Sequence, residues 1–323
     1  MKKLGLLLTV MFCLVLFGVA LFLFVENKLN YKKDISTPIE VVVKKGMGLS
    51  KVAYELEKNG IVDDARWIIL YARFLKIANQ LKAGEYQFVG KYNIRDVVEK
   101  IIEGDVIVRS VTIPEGKALV EIIKIINDNP YLTGEITIDV KEGEILPETY
   151  NFNKGETRNG IIEKAREEMK KVLTQAFLER NKNIPIKNEK ELLILASIVE
   201  KETGVVNERA KVASVFINRL NLGMKLQTDP TVIYAVTQGK MNLGRPIYKK
   251  DLAFDSPFNT YVYGGLPPEP ICSPGIDAIK AVANPDDTKY LYFVADGVTG
   301  GHLFATSLAQ HNKNVARYRS LKK

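Results

Sequence analysis

Apolar residues fill Leu4–Val25 almost without a break, and beyond that run they recur only in short periodic groups. A run of that length crosses a bilayer as a single helix. Further on, Val41-Val42-Val43-Lys44-Lys45-Gly46 is followed by Leu49, Val52, Ala53 and Leu56. The same order returns in Val111-Thr112-Ile113-Pro114-Glu115-Gly116, followed by Leu119, Ile122, Ile123 and Ile126. Each copy predicts a strand, a glycine turn and a helix with one apolar face, because its apolar positions follow the i, i+3, i+4, i+7 rule. Between the copies, Gly84–Phe88 and Asn93–Ile102 predict a further strand and helix, with Gly104 as the stop.

From about Ile145 the spacing changes. Asn159 is expected to cap a long helix that turns Ile162, Ala165, Met169, Val172, Leu173 and Ala176 inward, and Ile184-Pro185 to end it. Asn188 with Glu191 then predicts a capping-box start. The helix that follows, Leu192–Val199, leaves almost no polar face and is expected to be buried nearly all round. Gly204 is its expected stop. Asn207 is expected to cap a helix facing Val212, Val215, Phe216 and Leu220 to the core, with Gly223 closing it. Thr228-Asp229-Pro230 reads as a helix entry with proline in the first turn. Two polar or proline-rich loops, 255–261 and 264–270, precede a helix expected at Ser273-Pro274. Tyr290–Ala295 and His302–Thr306 predict a hairpin, and a last helix carries His311, Val315 and Tyr318.

The predicted fold class is therefore α+β. Residues 1–25 form a transmembrane anchor, 26–38 a polar linker, 39–144 a small α+β region and 145–323 a mixed domain with a helical core and a β-hairpin. Lys2 and Lys3 favour a cytoplasmic N-terminus, which would put everything after the anchor outside the cytoplasm.

The end of the buried helix poses a chemical question. Glu200, Lys201 and Glu202 fall in its last turn, where a buried carboxylate is costly unless paired, protonated or used. Residues two apart point roughly 200° from each other, so one cleft can hold only one of the two acids. Ser197 and Lys201 mark the expected polar side, with Glu202 further from it, beside Leu195 and Ile198. Desolvation there would raise its pKa and make it a proton donor near neutral pH. The competing reading makes both acids ordinary surface charges.

Composition narrows the chemistry. The net charge of +8 suits an anionic neighbourhood such as phospholipid head groups or wall polymer. Nucleic acid is disfavoured, since zinc-finger, Walker and RNP-like patterns are missing from the sequence. Cys13 and Cys272 do not suggest a disulfide, and His302 and His311 lack metal-type spacing, so neither a metal nor a cofactor is expected. Ser197 and Lys201 are four apart rather than the three of a Ser-x-x-Lys enzyme, and read as the polar stripe of the helix. What remains is acid chemistry amid Asn, Gln, Thr and Tyr, the residues that line sugar-binding clefts.

Strand, glycine turn and Leu-x-x-Ile-Ala-type helix in residues 39–144 resemble the LysM module, which would bind glycan; the alternative is a spacer. The segments Ala196–Thr203, Lys211–Leu220, Leu226–Tyr234, Gly265–Pro268, Tyr290–Asp296 and His311–Lys313 closely resemble the MltG (YceG-like) family of endolytic murein transglycosylases. That resemblance implies cleavage of the β-1,4 bond between N-acetylmuramic acid and N-acetylglucosamine to leave 1,6-anhydro ends. It implies Glu202 as the catalytic acid, the glutamate followed by Thr, with Glu200 as the fallback. Gln227, Asn218 and Tyr261 are candidates for holding sugar hydroxyl and amide groups, or for structural hydrogen bonds. Asp229 is a second acid or a helix cap. Glu148 is a further candidate for lining the cleft, at a place where family members often carry Asp. Implied partners are peptidoglycan strands, the membrane and the wall synthases. A non-catalytic wall-binding scaffold for those synthases is the alternative function, and an ordinary hydrolase, releasing reducing ends, the third.

Overall fold

A computed structural model of the chain describes residues 2–240 and 243–321. The chain folds as α+β in two compact units, residues 1–109 and 110–323.

The first unit begins with α1 (Lys2–Asn30), the one described helix long and apolar enough to cross a membrane. The side chains of Lys2 and Lys3, on which the expected orientation rests, lie outside the described residues. The stretch expected as a linker is instead structured. α1 continues five residues past Val25 and buries Leu29, and β1 (Lys33–Val43) starts almost at once. A helix and a strand both satisfy their backbone groups, whereas a linker leaves that to water. α2 (Leu49–Lys58) buries Val52, Ala53 and Leu56 after a left-handed turn at Gly46 (φ 82°), as the repeat predicts. α3 (Ala65–Phe74), capped by Asp64, escaped the sequence reading. β2 (Gly84–Tyr92) pairs antiparallel with β1, with an irregularity between Ile35 and Ile39 where Pro38 cannot donate a ladder bond. α4 (Ile94–Glu103) has the full Asn93–Asp96 capping box and the left-handed Gly104 cap.

The second unit opens on β3 (Arg109–Thr112), whose first residue closes the first unit, and α5 (Leu119–Asn127). These are the second copy of the repeat, turning at Gly116 (φ 71°) and burying Ile122 and Ile126. The expected 39–144 region therefore spans the division between the units. β4 (Thr149–Phe152) lies beside β3. α6 (Arg158–Glu179) is capped by Thr157, not Asn159; the Asn159 amide is instead bonded to Thr137. α7 (Glu189–Glu202) packs against α6, against α8 (Arg209–Asn221) and, further along the chain, against the helix at 276–283. α8 follows a 3-10 turn, Val206–Glu208, in place of the expected Asn207 cap, and Gly223 (φ 65°) stands just beyond its end. α9 (Asp229–Thr237) and the short α10 (Lys249–Leu252) precede α11 (Ile276–Ala283), which starts three residues after Ser273, with Gly275 at its cap position. β5 (Tyr292–Ala295) and β6 (His302–Ala305) form the expected antiparallel hairpin, and α12 (Leu308–Leu321) is the last described element.

The core around α7 gathers Leu192, Leu195, Ile198 and Val199 with Val212, Phe216, Ile279 and Val282. Each such side chain removed from water contributes about 1.5–3 kcal/mol. That core fixes the last turn of α7.

Candidate active site

α7 starts where expected, since the Asn188 side chain accepts from Glu191 N–H at 2.9 Å. The box is only half formed. The Glu191 carboxylate takes the N–H of Lys187 (2.7 Å), not that of Asn188. Ser197 corrects the expectation of a polar side: it is fully buried. Its hydroxyl donates to Ile194 O (2.7 Å) and accepts from Ile271 N–H (3.0 Å), so it stitches α7 to the segment before α11. Gly204 is not the stop either. The helix ends because Thr203 turns extended (φ −143°, ψ 129°), and its hydroxyl then accepts from Val205 N–H (3.0 Å).

The two acids of the last turn have unlike surroundings. Glu200, with a side chain 5% exposed, accepts from Arg209 (3.0 Å) through one oxygen and from Gly275 N–H (2.9 Å), at the start of α11, through the other. Arg209 also meets Glu115 (3.1 Å), in the turn of the second repeat copy, and Asp277 (3.7 Å). A Cβ on Gly275 would come within 1.8 Å of the Glu115 carboxylate, so a larger residue there would push Glu115 aside. Burial pushes the Glu200 carboxyl upward, while the Gly275 N–H and Arg209 pull it down.

Glu202 has no ion pair among the described residues. Its carboxylate is partly sheltered and accepts a hydrogen bond from the Thr228 hydroxyl. Loss of solvent, joined by the negative charge of Asp229, outweighs Thr228, His302 and Arg219 and raises its pKa to about 7. Thr228 occupies the cap position of α9 but spends its side chain on Glu202 rather than on its own helix. Its backbone is held by Thr260 (3.1 Å), which also meets Thr231 (2.8 Å). The neighbouring Gln227 sits in the left-handed region (φ 50°), unusual for a residue with a side chain.

Two further side chains frame the acid. Arg219, buried on α8, donates to Leu291 O (2.7 Å) and Leu226 O (2.7 Å) and stacks over Tyr292. It thereby ties the strand β5 to the segment that carries Thr228. His302, on β6, is held by Glu208: its ring Nδ1 lies 2.7 Å from one carboxylate oxygen and its backbone N–H donates to the other (3.1 Å). Desolvation lowers the Arg219 pKa and the nearby Glu202 charge opposes that. A proton donor near neutrality, with one hydroxyl on it and a guanidinium and an imidazole nearby on fixed elements, is equipped for general acid–base work.

The family model described as the YceG-like family matches residues 41–317. The chain belongs to the YceG-like family. It is 32% identical over 325 residues to the endolytic murein transglycosylase of Bacillus subtilis (strain 168), covering 90% of this chain and 88% of that one. It is 28% identical over 335 residues to the endolytic murein transglycosylase of Streptococcus pneumoniae serotype 2 (strain D39 / NCTC 7466), and there spans 59% of the relative's length. A solved structure described as a yceG-like protein of Listeria monocytogenes is similar at a TM-score of 0.54 and 29% identity, over 85% of this chain and 98% of that one.

In this YceG-like chain the expected site residues fall into three groups. Glu202, Asp229 and Tyr261 are brought together: the Tyr261 hydroxyl donates to Asp229 (2.7 Å), and both residues act electrostatically on Glu202 or are acted on by it. Asp229 is not a cap, because it lies inside the first turn of α9 with Thr228 before it. Gln227 adjoins the group, with an exposed side chain. Asn218 is committed elsewhere, its amide donating to Thr288 O (2.9 Å) and Tyr290 O (3.0 Å); of its two expected roles the structural one applies to those donors. Glu148 is exposed at the start of β4, with its carboxylate on Thr149 N–H (3.2 Å); among the described residues none of its hydrogen bonds reaches the Glu202 group.

Sequence reasoning missed Arg209, Arg219, Glu208 and Thr228. The one available signal was that Arg219 and Arg209 interrupt the otherwise apolar inner face of α8. A further sheltered acid, Glu142, accepts from Leu119 N–H (2.9 Å) and Tyr234 (3.3 Å) and is raised by burial to about 7. It lines a groove of about 610 Å³ with Met169, Leu173 and Leu193, whose lining does not include Glu202. Among the described residues no group of His, Cys, Asp and Glu could hold a metal ion.

Proposed function

We propose that the chain is a membrane-anchored endolytic lytic transglycosylase that cuts the bond between N-acetylmuramic acid and N-acetylglucosamine in glycan strands near the membrane. The observation that carries this is Glu202: a sheltered acid without an ion pair among the described residues, its pKa raised by burial to about 7, on a helix end fixed by a large core. The names of the bacillary and streptococcal relatives support the same reaction class.

In the proposed reaction the Glu202 carboxyl gives its proton to the glycosidic oxygen as the bond from that oxygen to C1 of the muramic sugar breaks. The substrate's acetamido oxygen shields the positive charge that develops on C1. The Glu202 carboxylate then takes the proton of the muramic C6 hydroxyl, and that oxygen bonds to C1. No water is consumed, the acid is restored, and the new end is a 1,6-anhydro sugar. One carboxyl group suffices, unlike the pair that ordinary glycosidases use. Asp229, with Tyr261 bonded to it, keeps a negative charge near Glu202 and so holds its proton on. Gln227 and Tyr261 are the proposed contacts for sugar hydroxyl and amide groups.

The proposed organisation keeps α1 as the anchor, N-terminus in the cytoplasm, and the remainder outside. The LysM-like character of residues 39–144 is proposed for glycan contact by its first copy. Its second copy has a further role in the scaffold, since Gly116 O accepts from Lys201 (3.2 Å) and Glu115 meets Arg209. Wall synthases are proposed partners.

The test is a digest of purified glycan strands by the full chain, read by mass spectrometry. Anhydro-ended products that vanish with Glu202→Gln are expected. Reducing ends would make the protein a hydrolase, undiminished products from the variant would remove Glu202 from the chemistry, and strands bound but never shortened would leave the scaffold.

A further inference from the structure

α3 has two apolar faces, and the core needs only one. Ala65, Ile68 and Ala72 are buried in the first unit. On the opposite side of the helix, roughly 180° away at 100° per residue, lie Leu70 and Phe74, with Trp67 at the edge of that face, half-buried against the same core. Leu70 is 54% exposed and Phe74 81% exposed. Leu75, also exposed, extends the patch beyond the helix, and Arg73 and Lys76 flank it. An apolar strip edged by cations on a surface helix is the pattern of an element that lies in the head-group layer of a bilayer.

The position of α3 in the unit points the same way. The ring of Trp67 packs edge-on against Phe24 with centroids 6.0 Å apart, and Phe24 is the last residue but one of the apolar run. The last turns of α1 cannot swing away. Leu29 is buried in the core of this unit, Val25 packs against it, and Glu26 pairs with Arg95 at 2.6 Å. Trp67 is therefore held at the level where the apolar run ends, which is the depth that tryptophan and tyrosine favour in membranes. Lys28, whose ammonium lies over the Phe24 ring at 5.9 Å, belongs to the same level, and Tyr31 is exposed just beyond the end of α1.

We propose that the outward face of α3, with Trp67, Leu70 and Phe74 as its apolar contacts and Arg73 and Lys76 as its cationic rim, lies on the phospholipid surface and favours anionic head groups. This rests on α1 being the anchor. The consequence is an orientation: a single anchor helix leaves a domain free to tilt, and a second, lateral contact removes that freedom.

The chain has one tryptophan, so its fluorescence reports this face alone. Full-length protein is reconstituted in phosphatidylcholine bilayers with or without phosphatidylglycerol, using lipids brominated near the head group as quenchers and acrylamide as the aqueous one. The double variant Trp67→Phe/Phe74→Trp moves the probe about 10 Å along α3, away from the anchor. Both positions are expected to be quenched at least twofold by the brominated lipid and to be shielded from acrylamide. Removing phosphatidylglycerol is expected to weaken the effect at position 74. Quenching at position 74 by acrylamide but not by lipid would overturn the proposal. So would shielding from both quenchers, which means that protein, a second copy included, covers the face. Quenching indifferent to phosphatidylglycerol would overturn the anionic preference. Alkaline carbonate extraction separates the underlying reading: protein washed from the membrane loses the anchor itself, whereas protein that stays while position 74 sees acrylamide loses only the α3 contact.

Discussion

Glu200 and Glu202 occupy the same turn of the same helix, and both are pushed upward by burial, yet they are built for opposite purposes. Glu200 is closed on all sides by Arg209 and the start of α11, so its charge holds α7, α8, α11 and the turn of the second repeat copy in register. Glu202 is met by a hydroxyl and by another acid at a distance, and has no such guanidinium contact among the described residues. A buried acid in direct contact with a cation is structural material; one that feels cations only at a distance holds a proton that can be lent. Burial alone does not tell them apart. The partner does.

The contrast is broken most sharply through activity. Glu202→Gln should lower the rate of anhydro-product release by about 10³-fold, within the range for a lost general acid, with an unchanged circular dichroism spectrum. Glu200→Gln should act first on stability, by roughly 3 kcal/mol, because it leaves Arg209 short of its buried partner. Urea unfolding of the two variants side by side reads the difference, and equal stability of Glu200→Gln and the parent would dissolve it.

A third measurement uses pH. The Glu202 carboxyl has a folded pKa of about 7 against 4.5 for an ordinary glutamate, so the folded state binds the extra proton between those values. Its contribution to stability is present below 4.5 and is lost as pH rises through 7. Gln does not titrate and still accepts from Thr228. Glu202→Gln should therefore gain on the parent by roughly 2–3 kcal/mol from pH 4.5 to pH 8, read as a widening gap in melting temperature. Activity should fall over the same upper limb as the acid loses its proton.

The smallest effects lie around the acid. Asp229→Asn should move that upper limb to lower pH, since its negative charge raises the Glu202 pKa, and His302→Gln should move it to higher pH. Shifts of the same sign in the two kcat/KM profiles would show that at least one of the two residues does not act on Glu202 in this way.

Much of this could be read from residue order. The apolar run of α1, the repeated strand–turn–helix with Gly46 and Gly116, and the capped α4 are local patterns, and each forms as read. The caps that failed, Asn159 and Asn207, did so because a neighbour or a 3-10 turn competed for the same backbone groups. Ser197 failed for another reason: a hydroxyl can be buried when two backbone groups meet it, and one of them, Ile271 N–H, is 74 residues away in sequence.

The chain's order of residues alone determined the helix that ends in two acids and, through the 100° step between residues, that those acids diverge. Only the tertiary structure decided which of them meets Arg209 and which meets Thr228. Those partners come from α8 and from the entry to α9, brought in by packing of apolar faces that carries no mark of which charge will stand beside which. Helical geometry is a property of neighbours along the chain; the local dielectric and the nearest counter-charge, which set a proton's affinity, belong to neighbours in space.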